Sequence, residues 1–483
     1  MKKQHPVAVL KYTTGYFWLL LIPLVRGFST LKGDVHSWVR GTYIDIFILL
    51  LITLIAVFRW NNVRFEIGNS ELILYRVFFV KEKTCIPFCE VSAVRTEKSF
   101  YLRPFGAVKL SIETEADYFK RNGKNRRFEF IFPLKYYTEI CNKITYEDIT
   151  PVRAYEASKA KLLSFCVTIS STITGLVYAG TILIQGSRLA DLQLEKRLAD
   201  AAESAVYYAE KVSDGFSVYA GWAVAAAAFG WLFSFVANYL RHINFRLTRQ
   251  GKSIIAEGGF FSEWSCIMRC EKIIYTDMRQ NLIMKFFGLV TVMISCCGYG
   301  KVKGEIPLAV PSGDKKSAGR IVEKFIPKFC CVPVEAEVKR CGILRYVGLP
   351  AAMIFGIILA GGGAVLLFPS WHRLILFCVV MGLIFTAHLY AVNLTAFCTS
   401  GAGIKDDIAG LRYCRFFQFH NVTIPFKKIV MTEIRQSLFQ KRKNVCDLIV
   451  YTGLGMIKKH RIKGIDVCEA GDFTDRVNYR KGR

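Results

Sequence analysis

The sequence predicts a membrane protein of six apolar helices in three hairpins, each hairpin followed by a small all-β domain closed by a C-terminal helix. Three observations predict it. The 483 residues are 52% hydrophobic with mean hydropathy +0.30, yet they carry a formal charge of +27, which suits apolar spans joined to basic polar parts. Six apolar segments stand at 13–26, 41–58, 162–185, 216–240, 346–368 and 373–393. Finally, LRPFGAVKLSI (102–112) returns 182 positions later as MKFFGLVTVMI (284–294), with a third version, QKRKNVCDLIV, at 440–450.

Most of the apolar segments approach the ~20 residues that cross a bilayer. The first follows Lys2, Lys3 and Lys11 and holds Pro23. It lacks a small-residue cleavage site, so it reads as an uncleaved span rather than a signal peptide. The pairs define membrane hairpins at 1–58, 151–240 and 343–393. The second carries a segment, 186–215, in which Leu189, Leu192, Leu198, Ala202 and Ala205 keep helical spacing, read as an external helical extension. Polar domains occupy 59–150, 241–342 and 394–483.

Charge orients this arrangement. Residues 59–161 hold 19 basic and 13 acidic side chains, 241–342 hold 17 and 9, and 394–483 hold 17 and 8. Arg59, Arg64, Lys159, Arg241, Arg246, Lys339, Arg340 and Arg345 crowd the ends of the spans. By the positive-inside bias the expectation is a multi-pass protein of the inner (cytoplasmic) cell membrane with both termini and all three polar domains cytoplasmic. Small residues in GWAVAAAAFG (221–230) and GIILAGGGA (356–364) would let helices pack closely.

Within the polar domains the repeat aligns without a gap. CIPFCEVSAVRTEKSFYLRPFGAVKLSI (85–112) lies over IMRCEKIIYTDMRQNLIMKFFGLVTVMI (267–294) and TIPFKKIVMTEIRQSLFQKRKNVCDLIV (423–450). Ser99, Asn281 and Ser437 coincide, as do Gly106, Gly288 and Asn444, residue types that tolerate positive φ and so point to one shared turn. The strand after the turn places Leu110, Val292 and Leu448 inward, and Lys109, Thr291 and Asp447 outward. Alternating runs such as VRFEI (63–67), ELILYRV (71–77), INFRL (243–247) and SIIAEGG (253–259) predict antiparallel strands. KKSAGRIVEKF (315–325), behind Asp314 as N-cap, predicts the closing helix.

The I-P dipeptide, the Ser-Leu-like pair, the Phe-Gly turn and the V-x-L-x-I strand together resemble the bacterial pleckstrin-homology (PH)-like domain. In particular they resemble membrane proteins of the YdbS/YdbT type, over essentially the whole chain. The resemblance implies a seven-stranded β fold with a C-terminal helix and implies no catalytic residues. The third copy departs from it at Asn444 and in its basic Lys441–Lys443 stretch.

No catalytic constellation is present: no G-x-S-x-G, H-E-x-x-H, Walker A or Rossmann pattern occurs. The seven histidines lack ligand spacing. The two C-x-x-x-C pairs, Cys85/Cys89 and Cys266/Cys270, fall out of repeat register, so reduced thiols are expected rather than a metal site. The expectation is therefore a non-enzymatic membrane scaffold or assembly protein with no cofactor or metal. A transport or export accessory in envelope stress or antimicrobial-peptide resistance is the alternative. Arg126, Arg127, Lys301, Lys303, Lys441, Arg442 and Lys443 are the candidate surface for anionic lipid headgroups or a protein partner. Their charge is expected to act as a diffuse attraction to an anionic leaflet. A homo-oligomer or a protein partner is expected, and nucleic acid is not, because interleaved aromatic platforms are missing.

Overall fold

The computed structural model describes residues 2–14, 35–77, 81–114, 128–144, 153–169, 218–296, 308–330, 332–369, 372–453 and 458–481. Its dominant material is strand. The first copy contributes β1 (Lys2–Lys3), β2 (Val63–Ile67), β3 (Glu71–Val77), β4 (Lys81–Pro87), β5 (Val91–Lys98), β6 (Ala107–Thr114) and β7 (Phe128–Pro133). The second contributes β8 (Arg153–Glu156), β9 (Arg246–Gln250), β10 (Ser253–Gly258), β11 (Glu263–Arg269), β12 (Ile273–Gln280), β13 (Leu289–Cys296) and β14 (Leu308–Asp314). The third contributes β15 (Ala336–Glu337), β16 (Gly401–Lys405), β17 (Ile408–Arg415), β18 (Gln418–Pro425), β19 (Ile429–Arg435), β20 (Val445–Thr452) and β21 (Lys458–Asp466). Helices Leu134–Ile144, Lys315–Phe325 and Val467–Lys481 close the copies, as PH-like units require. The second starts after Asp314, whose side chain makes no capping bond.

The copies are not separate bodies. The sheets run β1-β2-β3-β4, β7-β6-β5-β11-β10-β9-β8, β14-β13-β12-β18-β17-β16-β15 and β19-β20-β21. The second half-sheet of each of the first two copies is therefore hydrogen-bonded, edge to edge, to the first half-sheet of the next. β5 pairs antiparallel with β11 (Lys98↔Glu263) and β12 with β18 (Gln280↔Phe419). Most residues of β5 and β12 are buried at these seams, polar ones such as Ser92, Thr96, Thr276 and Asp277 included. The cores cross the seams too: Ile267 of the second copy packs in the core of the first, and Ile274 and Tyr275 pack in that of the third.

The expectation of six spans in three hairpins is overturned. Among the described residues two stretches, Arg340–Leu367 and Gly382–Thr399, are long and apolar enough to cross a membrane, and Phe47–Asn61 is a shorter apolar helix. Segments 13–26 and 162–185 lie largely outside the described residues, and 186–215 wholly outside. Where the start of 162–185 is described it serves a β core: helix Lys159–Ile169 buries Leu162, Phe165 and Cys166 among the strands of the second copy. Ahead of the first segment, Ala8 packs on Leu102, Ala107 and Ile131. Hydropathy alone does not separate a core helix from a span. The last two helices, Ile343–Leu367 and His372–Thr399, pack closely enough that a Cβ on Gly361 would collide with Val379.

Short strands β1, β8 and β15 precede the helical segments, and each pairs with the first strand after them: β1 with β2, β8 with β9, β15 with β16. Each helical excursion therefore leaves and rejoins the sheet at one edge. The shared turn is as expected, with φ of +60° at Gly106, +68° at Gly288 and +48° at Asn444. Just before it, the Asn281 side chain accepts from the Met284 amide, and Ser437 forms a capping box with Gln440. Those caps account for Asn281 and Ser437. Leu110, Val292 and Leu448 are buried as expected, but so are Thr291 and Asp447. Thr291 donates to the Pro311 carbonyl, and Asp447 lies under the root of a helix.

Candidate membrane-facing site

Sheet topology brings three kinds of segment to one end of the β body. β9 begins where helix Val218–His242 ends, and β16 where helix His372–Thr399 ends. The β10–β11 and β17–β18 connections turn over at that same end. The seams bring the loop after β5 beside the first of these and the loop after β12 beside the second, since Lys98 faces Glu263 and Gln280 faces Phe419.

Both strand connections carry exposed Phe-Phe pairs, Phe260–Phe261 and Phe416–Phe417. The first is fixed at the helix root: the Phe260 amide donates to the Leu240 carbonyl, the Gly259 amide to the Ile243 carbonyl, and Arg103 Nη2 donates to the Phe260 carbonyl at 2.9 Å. The second is a two-residue hairpin turn with φ of +48° and +62°. Such a turn ordinarily takes Asn-Gly, and bulky residues there are strained. Phe417 rests on Phe385 and His388 of the apolar helix, ring centroids 6.4 and 6.0 Å away. Phe100, Tyr101 and Phe105 in the first copy, Ile283, Phe286 and Phe287 in the second, and Leu438 and Phe439 in the third add exposed apolar side chains from the neighbouring loops.

A cavity of about 470 Å³ opens in this rim, walled by Leu389, Val392 and Asn393 of the helix, by Arg415–Phe417, and by Lys459, Arg461 and Lys463 of β21. Burial lowers the Lys463 ammonium pKa, and the neighbouring Arg461 and Arg345 add to this. Arg461 is partly committed to Asp447, its Nε 3.0 Å from Oδ2. The cavity combines an apolar wall continuous with the apolar helix His372–Thr399 and a cationic floor, which can hold an anionic group carried on an apolar body.

Of the candidate residues, Lys441, Arg442 and Lys443 are exposed beside the root of helix Ile343–Leu367, where the Cys341 thiol donates to the Lys443 carbonyl at 3.8 Å, and they do not line the cavity. Arg126, Arg127, Lys301 and Lys303 lie outside the described residues. The cavity's cations come instead from the KKHRIK stretch (458–463). The Phe-Phe pairs had their own signal in the sequence: Phe78–Phe79, Phe260–Phe261 and Phe416–Phe417 keep the offsets of the repeat. Phe78 and Phe79 lie outside the described residues.

A buried polar cluster closes the second seam. Asp277 Oδ2 is 2.9 Å from His420 Nδ1 and 2.5 Å from Arg279 Nε. His460 bridges the Tyr413 hydroxyl (2.8 Å) and Thr452 (2.9 Å). Asp277 on β12 and His420 on β18 link the two copies across the seam, so the cluster helps to hold them together, and Tyr413 also lines the basic cavity. Among the described residues no group of His, Cys, Asp and Glu could hold a metal.

Comparison with known proteins agrees with this layout. The family model described as "Bacterial PH domain" matches residues 17–133, 182–323 and 349–481. Each match takes in apolar residues before its β copy. The chain is also 22% identical over 342 residues to the UPF0699 transmembrane protein YdbT of Bacillus subtilis (strain 168), covering 64% of this chain and 66% of that protein, just under two thirds of its length.

Proposed function

The chain belongs to the bacterial PH domain family, and on that premise we propose that it is a membrane-anchored, non-enzymatic scaffold. Its three β copies form one rigid platform at the cytoplasmic face of the cell membrane, with both termini cytoplasmic. The observation that carries the reading is the edge-to-edge fusion of the copies at β5–β11 and β12–β18. Independent sensor domains would need no such seams, whereas a platform that organises partners does. The apolar stretches Arg340–Leu367 and Gly382–Thr399 support the anchoring, and the exposed aromatic rim and basic cavity support close apposition to an anionic leaflet. A transmembrane relative is consistent with the same placement.

Crosslinking in intact membranes, followed by identification of what is captured, tests the scaffold. Discrete neighbours, another copy included, are expected, and a solitary chain would overturn the reading. Single cysteines at Lys316 and Lys458, both exposed, test the side: an impermeant thiol reagent is expected to miss them in intact cells and to reach them after lysis.

A further inference from the structure

The two seams obey one rule in one register. At the first, Lys98 faces Glu263, Glu97 faces Trp264 and Thr96 faces Ser265. At the second, Gln280 faces Phe419, Arg279 faces His420 and Met278 faces Asn421. Moving β5 by the repeat offset of 182 gives β12, and moving β11 by its offset of 156 gives β18, pair for pair. In each case the fifth strand of one copy joins the fourth strand of the next.

Applied once more, the rule leaves two strands over. Among the described strands β4, the fourth of the first copy, and β19, the fifth of the last, are sheet edges. β19 also lacks the cover its equivalents have. Met431 and Ile434 are 50% and 39% exposed, whereas Tyr275 and Met278, at the same places in β12, are 3% and 6% exposed. An uncovered apolar edge is a template for another strand.

We propose that β19 of one molecule pairs antiparallel with β4 of a second copy, continuing the seam rule head to tail. This deepens the scaffold reading and rests on it: the platform's first partner is itself. The inherited register sets Arg435 opposite Glu82, Ile434 opposite Lys83, Glu433 opposite Thr84, Thr432 opposite Cys85 and Met431 opposite Ile86. Arg435 and Glu82 form an opposite-charge cross-strand pair, the kind that favours one register. Pro87 does not forbid it. Pro425 holds the equivalent place in β18, beyond the last seam pair at Thr423. Because each internal seam keeps the rims at one end, the same register seats both molecules on one membrane face. The contact is heterologous, so it yields a ring or an open filament.

Directly opposed residues in antiparallel strands lie about 4.5–5.5 Å apart at Cα, within disulfide range. The test is a full-length chain keeping only the exposed native Cys85 and adding Thr432→Cys, oxidised in native membranes and run without reductant. A ladder of dimers and larger species is expected, lost when either cysteine is removed. Moving the new cysteine to Val430 is expected to abolish it. Met431→Lys with Ile434→Lys, both on an exposed edge, is expected to cut the ladder at least tenfold while leaving membrane insertion and protease resistance unchanged. Overturning results are no ladder while both thiols react with maleimide, or an equal ladder from Thr432→Cys without Cys85, which would mean β19 pairs with itself. If the ladder fails while general crosslinking still captures other proteins, self-pairing falls and the scaffold stands. If neither yields a neighbour, both fall.

Discussion

Arg345, in the first turn of the apolar helix Ile343–Leu367, reaches down to the third copy, its Nη2 lying 2.6 Å from Oδ2 of the buried Asp447 on β20. The same carboxylate accepts from Arg461 of β21 and, through Oδ1, from Gln440 at 2.8 Å. A membrane-directed helix, two strands and a capping residue thus converge on one anion. The helix root is thereby tied to the third β unit, which the second seam joins to the second copy.

The first prediction concerns this anchor. Asp447→Asn removes the charge that two guanidinium groups share and leaves both facing each other. Breaking a buried ion pair from one side costs ~3–5 kcal/mol, and the lower end applies because both arginines are partly exposed. Arg345→Met leaves Arg461 in place and is expected to cost about 1 kcal/mol. Urea unfolding in detergent checks the order. Equal losses would mean that Asp447 is held by Arg345 alone.

The second prediction is a pH dependence. Burial drives the His460 pKa down to about 3 and that of His242 to about 4, against 6.5 in the unfolded chain, so both are neutral in the fold. Burial would raise the Asp277 pKa, but donation from His420 and the charge of Arg279 outweigh it and hold it at about 2. Below 6.5 the unfolded chain binds more protons than the folded one. Stability is then complete above pH 6.5 and falls as pH drops through the 6.5–4 range, by about 1.4 kcal/mol per unit for each fully neutral histidine. Asp277 adds a further loss below its unfolded value near 3.8. Thermal melts from pH 8 to 4.5 are expected to decline only below 6.5. His460→Gln is expected to start less stable and decline less steeply, and an unchanged slope would remove His460 from the account.

Much of this architecture was legible in the chain. The turn at Gly106, Gly288 and Asn444 was readable because a positive φ restricts residue type, and β2 and β3 because their alternation is clean. The seams were not. β5 and β12 carry the pattern of an ordinary half-buried strand, and nothing local says that β11 or β18 lies alongside. The outward placement of Thr291 and Asp447 failed for a related reason: alternation gives the two faces of a strand and not what covers the second one. Apolar segments were read as spans because Leu162, Phe165 and Cys166 look alike to hydropathy whether they meet lipid or a β core. The basic cavity joins residues of three elements more than 70 positions apart, Leu389 to Lys463, and only the fold assembles it.

The last prediction decides between a diffuse basic field and a built lipid site. The charge excess of the three polar domains favours a diffuse field, screened over about 8 Å at physiological salt. The cavity favours a local one, because Lys463 is half-buried and its wall continues into the helix at Leu389 and Val392. Full-length protein in neutral detergent is titrated with a short-chain phosphatidylglycerol or with phosphatidylcholine, each at two salt concentrations. Near-surface basic residues contribute about 1 kcal/mol apiece towards an anionic lipid. Arg415→Gln, Lys459→Gln and Lys463→Gln together are then expected to weaken phosphatidylglycerol binding by about a hundredfold. Neutralising Lys441, Arg442 and Lys443, exposed outside the cavity, is expected to change it by less than about threefold. Binding through the cavity is expected to persist at 0.5 M salt, where a diffuse field has collapsed. Equal losses from the two triplets, or loss of all binding at that salt, would return the charge to the open surface.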